Sequence, residues 1–255
     1  MENYAVTDTE TAGGLNKPFA YDVSYVIYDG ETHQPIAEKA YVIEQVWHNM
    51  MLFESAYYAE KRPLYVSAMR GRNAQLVKWG HAMRAMARDF EKYGVKTVYA
   101  YNSKFDDNVI RFNCDWYHTK NPLDNIPVRD IWGYASQFIT NDADYTTFCE
   151  AAQRFTDEAK NYSTSAESVY SFITNNAEYK EWHVGIEDCK IEAEILQRCF
   201  ELGAEPDKDY KVISILERAK PFTIKVDGKV IYTGTFISKR TGKNNVYNFR
   251  TVKPD

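Results

Sequence analysis

One helix of this chain carries a carboxylate where its pattern asks for an apolar side chain. Over residues 184–203, Asp188, Ile191, Ile195, Cys199 and Leu202 recur at gaps of three and four, the spacing of a helix face turned to a core. Asp188 opens that stripe. An unpartnered carboxylate buried there would cost several kcal/mol or give up its charge. A cation would resolve the conflict, and so would a capping role at the helix start. Any fold for this chain has to bring Asp188 to a place that offers one of the two.

Other acids fall at comparable junctions. Asp8 and Glu10 stand two apart in Ala5-Val6-Thr7-Asp8-Thr9-Glu10-Thr11, and a strand would aim both at one face. Asp106 and Asp107 follow Asn102-Ser103-Lys104-Phe105, where a predicted strand gives way to a helix, a common place for sites. His183 lies on a predicted loop just before Asp188. Singly, each has a plain alternative. Asp8 and Glu10 fit a solvated strand end, His183 a surface histidine and Phe105 a core anchor, and pattern alone does not choose between Asp106 and Asp107. Jointly they constrain more. Four carboxylates facing one another repel unless divalent cations hold them, and a histidine beside them can take a proton from water. That is the chemistry of metal-dependent phosphodiester hydrolysis.

Composition removes several other classes. The 255 residues are 44% hydrophobic and 26% charged, enough for one large α/β domain with a real core and contrary to wholesale disorder. No apolar run approaches the ~18–20 residues of a membrane span. Met1-Glu2-Asn3-Tyr4 has neither a basic nor an apolar leader region, so a cytoplasmic location with no membrane partner is expected. Cys114, Cys149, Cys189 and Cys199 show no metal-ligand spacing. Cys189 and Cys199 share a predicted helix and sit ~15 Å apart along it, beyond disulfide reach. Reduced, buried thiols are expected. The net charge of −5 argues at first against a nucleic-acid partner, but from Lys220 onward eight Lys/Arg face two Asp. A metal-filled site would also offset part of the remaining acidity, so anion binding is expected to be local and metal-dependent.

Strands are expected at 3–8, 19–28 and 36–43, with Asp29-Gly30 as a turn, giving an antiparallel meander. The segment 46–72 reads as partly helical and broken at Pro63. Leu76, Trp79, Met83, Met86, Phe90 and Tyr93 predict a helix over 73–93, closed by Gly94. A strand Val95–Tyr101, a helix from about Ser103 and a strand near Val128–Tyr134 follow, then helices at 142–156, 164–176 and 184–203. The expected fold is α/β, a mixed five-stranded sheet flanked by helices over 1–205. Residues 206–255 read as a small basic β-hairpin appendage, from the Asp227-Gly228 turn signal and Lys239-Arg240-Thr241-Gly242-Lys243. It is open to gripping nucleic acid, docking a replication partner, or a purely structural role. Lys61, Arg62, Arg70, Arg72, Arg84 and Arg88 would either track a phosphate backbone or form a solvated face.

The three acidic segments resemble, in order, the motifs of the DEDDh 3′–5′ exonucleases, the DnaQ-like superfamily of polymerase proofreading subunits, ribonuclease T and oligoribonuclease. Asp8-Thr9-Glu10 matches Asp-x-Glu, Asn102 to Asp106 matches Asn-x-x-x-Phe-Asp, and His183 with Asp188 matches His, four residues, Asp. The resemblance spans residues 5 to about 203. It implies a ribonuclease-H-like fold and selects Asp106 over Asp107. It also implies that Asp8 bridges two Mg²⁺ or Mn²⁺ ions, Glu10 and Asp188 complete one site, and Asp106 holds the second ion. His183 would be the general base, and nucleoside 5′-monophosphates would leave the 3′ end of single-stranded DNA or RNA, with DNA ranked first. Thr11, Asn102 and Phe105 would hold the terminal nucleotide. A polymerase or replication partner fits this picture, and the oligomeric state is open. Two departures stand out: Tyr101 where relatives often have histidine, and Thr11-Ala12-Gly13-Gly14-Leu15, which displaces Leu15 from the usual base-stacking position. Two rivals are a non-catalytic nucleic-acid-binding module on the same fold and a metal-dependent endonuclease. Mononucleotides from a labelled 3′ end, internal cuts, or no turnover would separate the three.

Overall fold

In a computed structural model, residues 1–156, 161–212, 220–226, 228–241 and 246–252 are described. The β-branched and aromatic runs at the start form the expected meander of β1 (Tyr4–Ala12), β2 (Phe19–Tyr28) and β3 (Pro35–Ile43), each antiparallel to the next. β1 extends four residues past Asp8 and carries a bulge between Glu10 and Thr11. Two single turns follow, α1 (Glu44–Trp47) and α2 (Met50–Phe53), then α3 (Arg62–Arg70). Pro63 starts this last helix instead of breaking one, because its missing N–H falls in the first turn, where no intrahelical partner exists.

The helix expected over 73–93 is two elements, β4 (Gln75–Val77) and α4 (Trp79–Tyr93). β4 pairs with Tyr41–Ile43 of β3 and leaves Leu76 exposed. Helical spacing places Leu76 on the stripe of Trp79 and Met83, but unpaired backbone groups on the edge of β3 recruit it into the sheet. Gly94 closes α4 in the left-handed region at φ 65°. β5 (Thr97–Ala100), α5 (Ser103–Trp116), β6 (Val128–Asp130) and α6 (Ile131–Phe138) come next. The strand expected to reach Tyr134 stops at Asp130, whose carboxylate accepts the Trp132 N–H at 3.0 Å and caps α6. α7 (Ala143–Ala151), α8 (Ala166–Ile173) and α9 (Gly185–Glu201) complete the body.

The sheet therefore has six strands, in the order β4-β3-β2-β1-β5-β6, with β1–β5, β5–β6 and β3–β4 parallel. Tyr4 and Val6 pack on one side with Tyr134, Tyr145, Val169 and Ile195, drawn from α6 to α9. Ala5 points to the other side, where Tyr25 and Ile27 meet Met83 and Met86 of α4 and Ile110 of α5. By this alternation Asp8 and Glu10 project toward α9. Tyr21, Trp47, Phe53 and Tyr65 form a third cluster beneath α1 to α3. All four cysteines are buried and free. Ala204 and Tyr210 remain packed on the core past Gly203.

β7 (Lys220–Val226), β8 (Lys229–Thr241) and β9 (Val246–Val252) form a separate antiparallel sheet, with Gly228 in the turn between the first two. A third strand thus joins the anticipated hairpin. Lys239, Arg240 and Thr241 of the expected basic turn lie in β8, while Asp227, Gly242 and Lys243 fall outside the described residues. Among the described residues no helix is long and apolar enough to cross a membrane.

Candidate active site

Asp8 and Glu10 on β1, Asp106 in the first turn of α5, and Asp188 in the first turn of α9 gather at one end of the sheet, with His183 just before α9. Each is placed by a specific local device. Asp106 Oδ1 accepts the Thr9 N–H at 2.9 Å and the Thr9 hydroxyl at 2.7 Å, which ties α5 to β1 between the other two acids. Asn102 makes the β5-to-α5 turn at φ 61°, its N–H donated to Asp130 at 2.9 Å. Asp107 turns away and pairs with Arg111 at 3.3 Å. The start of α9 is held by Asp22, which faces Glu10 across β1 and β2. Gly185 donates its N–H to Asp22 Oδ2 at 3.0 Å, and a Cβ there would sit 2.9 Å from that oxygen, so only glycine permits the approach. Tyr65 and Ser24 also donate to Asp22, each at 2.7 Å.

His183 has a left-handed backbone, φ 53°, and its ring stacks on Tyr58 at 3.8 Å with the planes 10° apart. Its Nδ1 lies 3.8 Å from Glu181 Oε2. Glu181 in turn donates its N–H to Glu167 at 2.9 Å, and Arg154 pairs with the other Glu167 oxygen. Tyr58, Glu181, Asp22 and Glu192 are site residues that the sequence reading did not select. Two signals for them were available. Glu192 is one helical turn after Asp188, on the same face, and Asp22 is a charge inside an otherwise apolar strand.

The cluster is electrostatically overloaded. Burial, then Asp106, Asp188 and Glu192, raise the Asp8 carboxyl well above the usual range. Burial followed by Asp188 and Asp22 pushes Glu10 up to about 9. Burial followed by Glu181 and Asp22 does the same for Asp188, to about 9. Burial lifts Asp106 to about 7 against the two Thr9 donors that pull it down. Glu192, buried and near Asp106 and Glu181, is also raised well above its range. Burial, then the Lys61 charge, lowers the His183 imidazole, which favours the neutral ring that a base requires.

These residues fit divalent cations. Glu10, His183 and Asp188 each present a donor atom within 4.8 Å of the other two, and Glu167, Glu181 and His183 form a second such group. Asp8 Oδ2 and Asp188 Oδ1 are buried without a hydrogen-bond partner, which a cation would correct. Carboxylate oxygens suit Mg²⁺ or Mn²⁺.

The cluster opens into a cleft with two lobes that share Asp8, Glu10, Tyr58 and Tyr101. One lobe, about 570 Å³, is walled by Thr11, Leu15, Tyr57 and Phe105. The other, about 520 Å³, is walled by Asn102, Trp132, Thr164 and His183. Thr11 and Phe105 are therefore together, and Asn102 lies across the carboxylates from them. Leu15, displaced in the sequence, stands at the lip, 86% exposed. Of the basic residues considered for phosphate tracking, Arg62 is occupied over the Trp47 ring at 4.1 Å, and Arg84 and Arg88 lie on α4, away from this cleft.

No family model matches the chain, and no curated protein matches its sequence. Solved structures do. A 3′-exonuclease described in the 3′-end-specific recognition of a histone mRNA stem-loop aligns over 98% of this chain and 76% of its own, with TM-score 0.51 and 11% identity. Exonuclease I from Methylocaldum szegediense aligns over 81% of this chain and 42% of its own, with TM-score 0.50 and 15% identity. E. coli exonuclease I bound to a dA16 oligonucleotide covers 79% of this chain, with TM-score 0.47 and 14% identity. The chain spans less than half the length of these exonuclease I chains. At 11–15% identity the first two likenesses speak to the fold alone, and with the strand order they give the chain the ribonuclease-H-like α/β fold of those exonuclease structures.

Proposed function

We propose that the chain is a metal-dependent 3′–5′ exonuclease that shortens single-stranded nucleic acid to nucleoside 5′-monophosphates. The observation that carries this reading is the pair of buried, unpartnered carboxylate oxygens on Asp8 and Asp188, set among acids that burial and mutual repulsion drive toward neutrality. Divalent cations held by Asp8, Glu10, Asp106 and Asp188 would stabilise the charge on the attacking and leaving oxygens. The chain's own residues do the rest. Thr11 and Phe105, with Leu15 at the lip, enclose the terminal nucleotide in one lobe, and Asn102 meets the adjoining backbone from the other. Tyr58 and Glu181 hold the His183 ring so that Nε2 is left to take a proton from water. Apolar and aromatic walls accept any base by stacking, which matches a single strand better than a duplex. DNA stands ahead of RNA in this reading, and a replication protein is the natural partner class. The 206–255 segment is taken as a basic appendage whose first residues, through Tyr210, pack on the core.

The test compares 3′ degradation of matched single-stranded DNA and RNA with Mg²⁺ and with chelator, beside Asp8→Ala. Release of 5′-mononucleotides that stops in chelator and in the variant is expected. Internal cuts would replace this reading with an endonuclease. Tight strand binding without turnover would replace it with a binding module.

A further inference from the structure

The chain carries a second cleft, of about 630 Å³, on the opposite side of the sheet from α9. One wall is the outer face of α4, with Arg84 and Arg88. The other is the loop just past α5, with His118, Lys120 and Asn121. No carboxylate lines it. In a protein of net charge −5 that is a local reversal of sign. Arg84, Arg88 and Lys120 are exposed and form no ion pair among the described residues. Asp89, beside Arg88 in sequence, is engaged by the Tyr25 hydroxyl at 2.8 Å. Asn121 adds an amide nitrogen that is buried and has no hydrogen-bond partner. Gly80 also lines the cleft, and a Cβ there would lie 3.2 Å from Thr119 Cγ2 and 3.3 Å from Arg84 Nη1, so the two walls approach closely at this point. Arg84, Arg88 and Lys120 supply positive charge and the Asn121 amide nitrogen a donor. The Asn121 oxygen is already taken by the Leu123 N–H and the Thr119 hydroxyl by Trp79. The charge and free donor left in the cleft suit a phosphate.

α5 connects this cleft to the acidic centre. Its first turn supplies Asp106, and the loop at its far end supplies Lys120 and Asn121. From Phe105 to Trp116 the helix advances about 16 Å, the length of roughly five stacked nucleotides. Trp116 is 53% exposed at that end and packs on Phe112 and Phe19, which presents an aromatic face on the way. Asp107 and Asp124 near this route are both paired with Arg111. We propose that the α4 cleft is an exosite for the phosphate backbone of the same single strand, upstream of the 3′ end held at the carboxylates. The inference rests on the nuclease reading for the identity of the ligand.

The test measures binding in chelator, where no hydrolysis intervenes. Fluorescent dT20 and dT5 are titrated against the full chain, the triple variant Arg84→Ala/Arg88→Ala/Lys120→Ala, and a charge-matched variant, Lys96→Ala/Lys208→Ala/Lys211→Ala, at exposed lysines outside the cleft. The cleft variant should weaken dT20 at least about tenfold and dT5 far less. It should lower the slope of log Kd against log salt by about 2, as expected for three lost single-strand phosphate contacts. Equal losses from both triple variants, or an unchanged salt slope, would overturn the exosite. Displacement of dT20 by millimolar inorganic phosphate, beyond that caused by chloride at equal ionic strength, would also overturn it, by making the cleft a pocket for free phosphate. Unfolding midpoints check that both variants are folded. If the wild type degrades strands while the cleft variant binds normally, the exosite fails and the nuclease reading stands. If the wild type has no activity yet the cleft variant loses binding, the nuclease reading fails and the site stands.

Discussion

Replacing Asp188 by asparagine should stabilise the metal-free protein. The carboxyl is 4% exposed, its Oδ1 has no hydrogen-bond partner, and burial with Glu181 and Asp22 nearby pushes its folded value up to about 9. In the unfolded chain the same group titrates near 4. Between those values the folded form either keeps a proton that water would remove or carries a charge without compensation. Its contribution is therefore intact below about pH 4 and is lost progressively as pH rises toward 9. The slope is about 1.4 kcal/mol per pH unit for one group, so raising pH from about 6 to 8 removes nearly 3 kcal/mol, and the total near pH 7.5 is about 5 kcal/mol. Asparagine has similar shape and no charge. It recovers part of that sum, less whatever its amide leaves unpaired, and we expect a net gain of about 2 kcal/mol, or roughly 4–8 °C in the unfolding midpoint of a domain this size. Differential scanning fluorimetry in chelator at several pH values reads this directly. The wild type should lose stability as pH rises and regain it with saturating Mg²⁺, while Asp188→Asn should give a flatter profile and a weaker Mg²⁺ response. A wild-type midpoint that ignores both pH and Mg²⁺, with no gain in the variant, would refute the claim that this site is built around absent positive charge.

Two further outcomes follow from the walls of the site. Tyr58→Ala removes the ring stacked at 3.8 Å on His183, and a pair of that kind contributes about 0.5–1.5 kcal/mol, so kcat should fall by roughly 2- to 10-fold with little change in KM. Tyr58→Phe should restore it, and equal activity of both variants in a steady-state assay would remove Tyr58 from the positioning role. Arg154 pairs with Glu167 and donates to the Ala177 and Tyr179 carbonyls at 3.0 and 2.5 Å, joining the ends of α7 and α8 to the segment that leads to His183. Because the pair is mostly buried, Arg154→Ala should cost about 3 kcal/mol, seen as a lower midpoint in urea, and a shift below about 0.5 kcal/mol would contradict the role assigned to it.

The legible parts of this chain are those whose signal is local. β1 to β3 declare themselves because each is a short run with β-branched and aromatic residues, β2 and β3 being separated by a turn signal, and Gly94 ends α4 because only its own φ matters there. β4 does not, since three residues recruited by the edge of β3 carry no period of their own, and Leu76 happens to fall at helical spacing from Trp79. The run Val128–Tyr134 is apolar enough for strand or helix, and the decision rests with Asp130, which ends one and caps the other. Asp8, Glu10, His183, Asp188 and the Asp106/Asp107 pair could be nominated from their positions at element junctions, and resemblance to ordered family motifs then chose Asp106. Tyr58 could not, because it reaches His183 from a segment 125 residues earlier through a contact that no sequence period encodes.

The less visible acids explain how the site keeps its shape. Asp22 and Glu192 lie outside the four carboxylates that the proposed function assigns to cations, yet neither is idle. Asp22 accepts the Gly185 N–H and so fixes where α9 begins, which sets Asp188 three residues on. Glu192 accepts the Tyr101 N–H at 3.1 Å and so fixes the turn from which α5 and Asp106 start. Both anchors act on backbone, so the spacing of the ligands is held before any ion arrives. The same two charges stand among the causes that raise Asp8, Glu10 and Asp188. Rigidity and repulsion thus come from one source. A site held open by hydrogen-bonded acids behind it cannot relieve its repulsion by collapsing, which leaves protonation or, on the proposed reading, a cation in front.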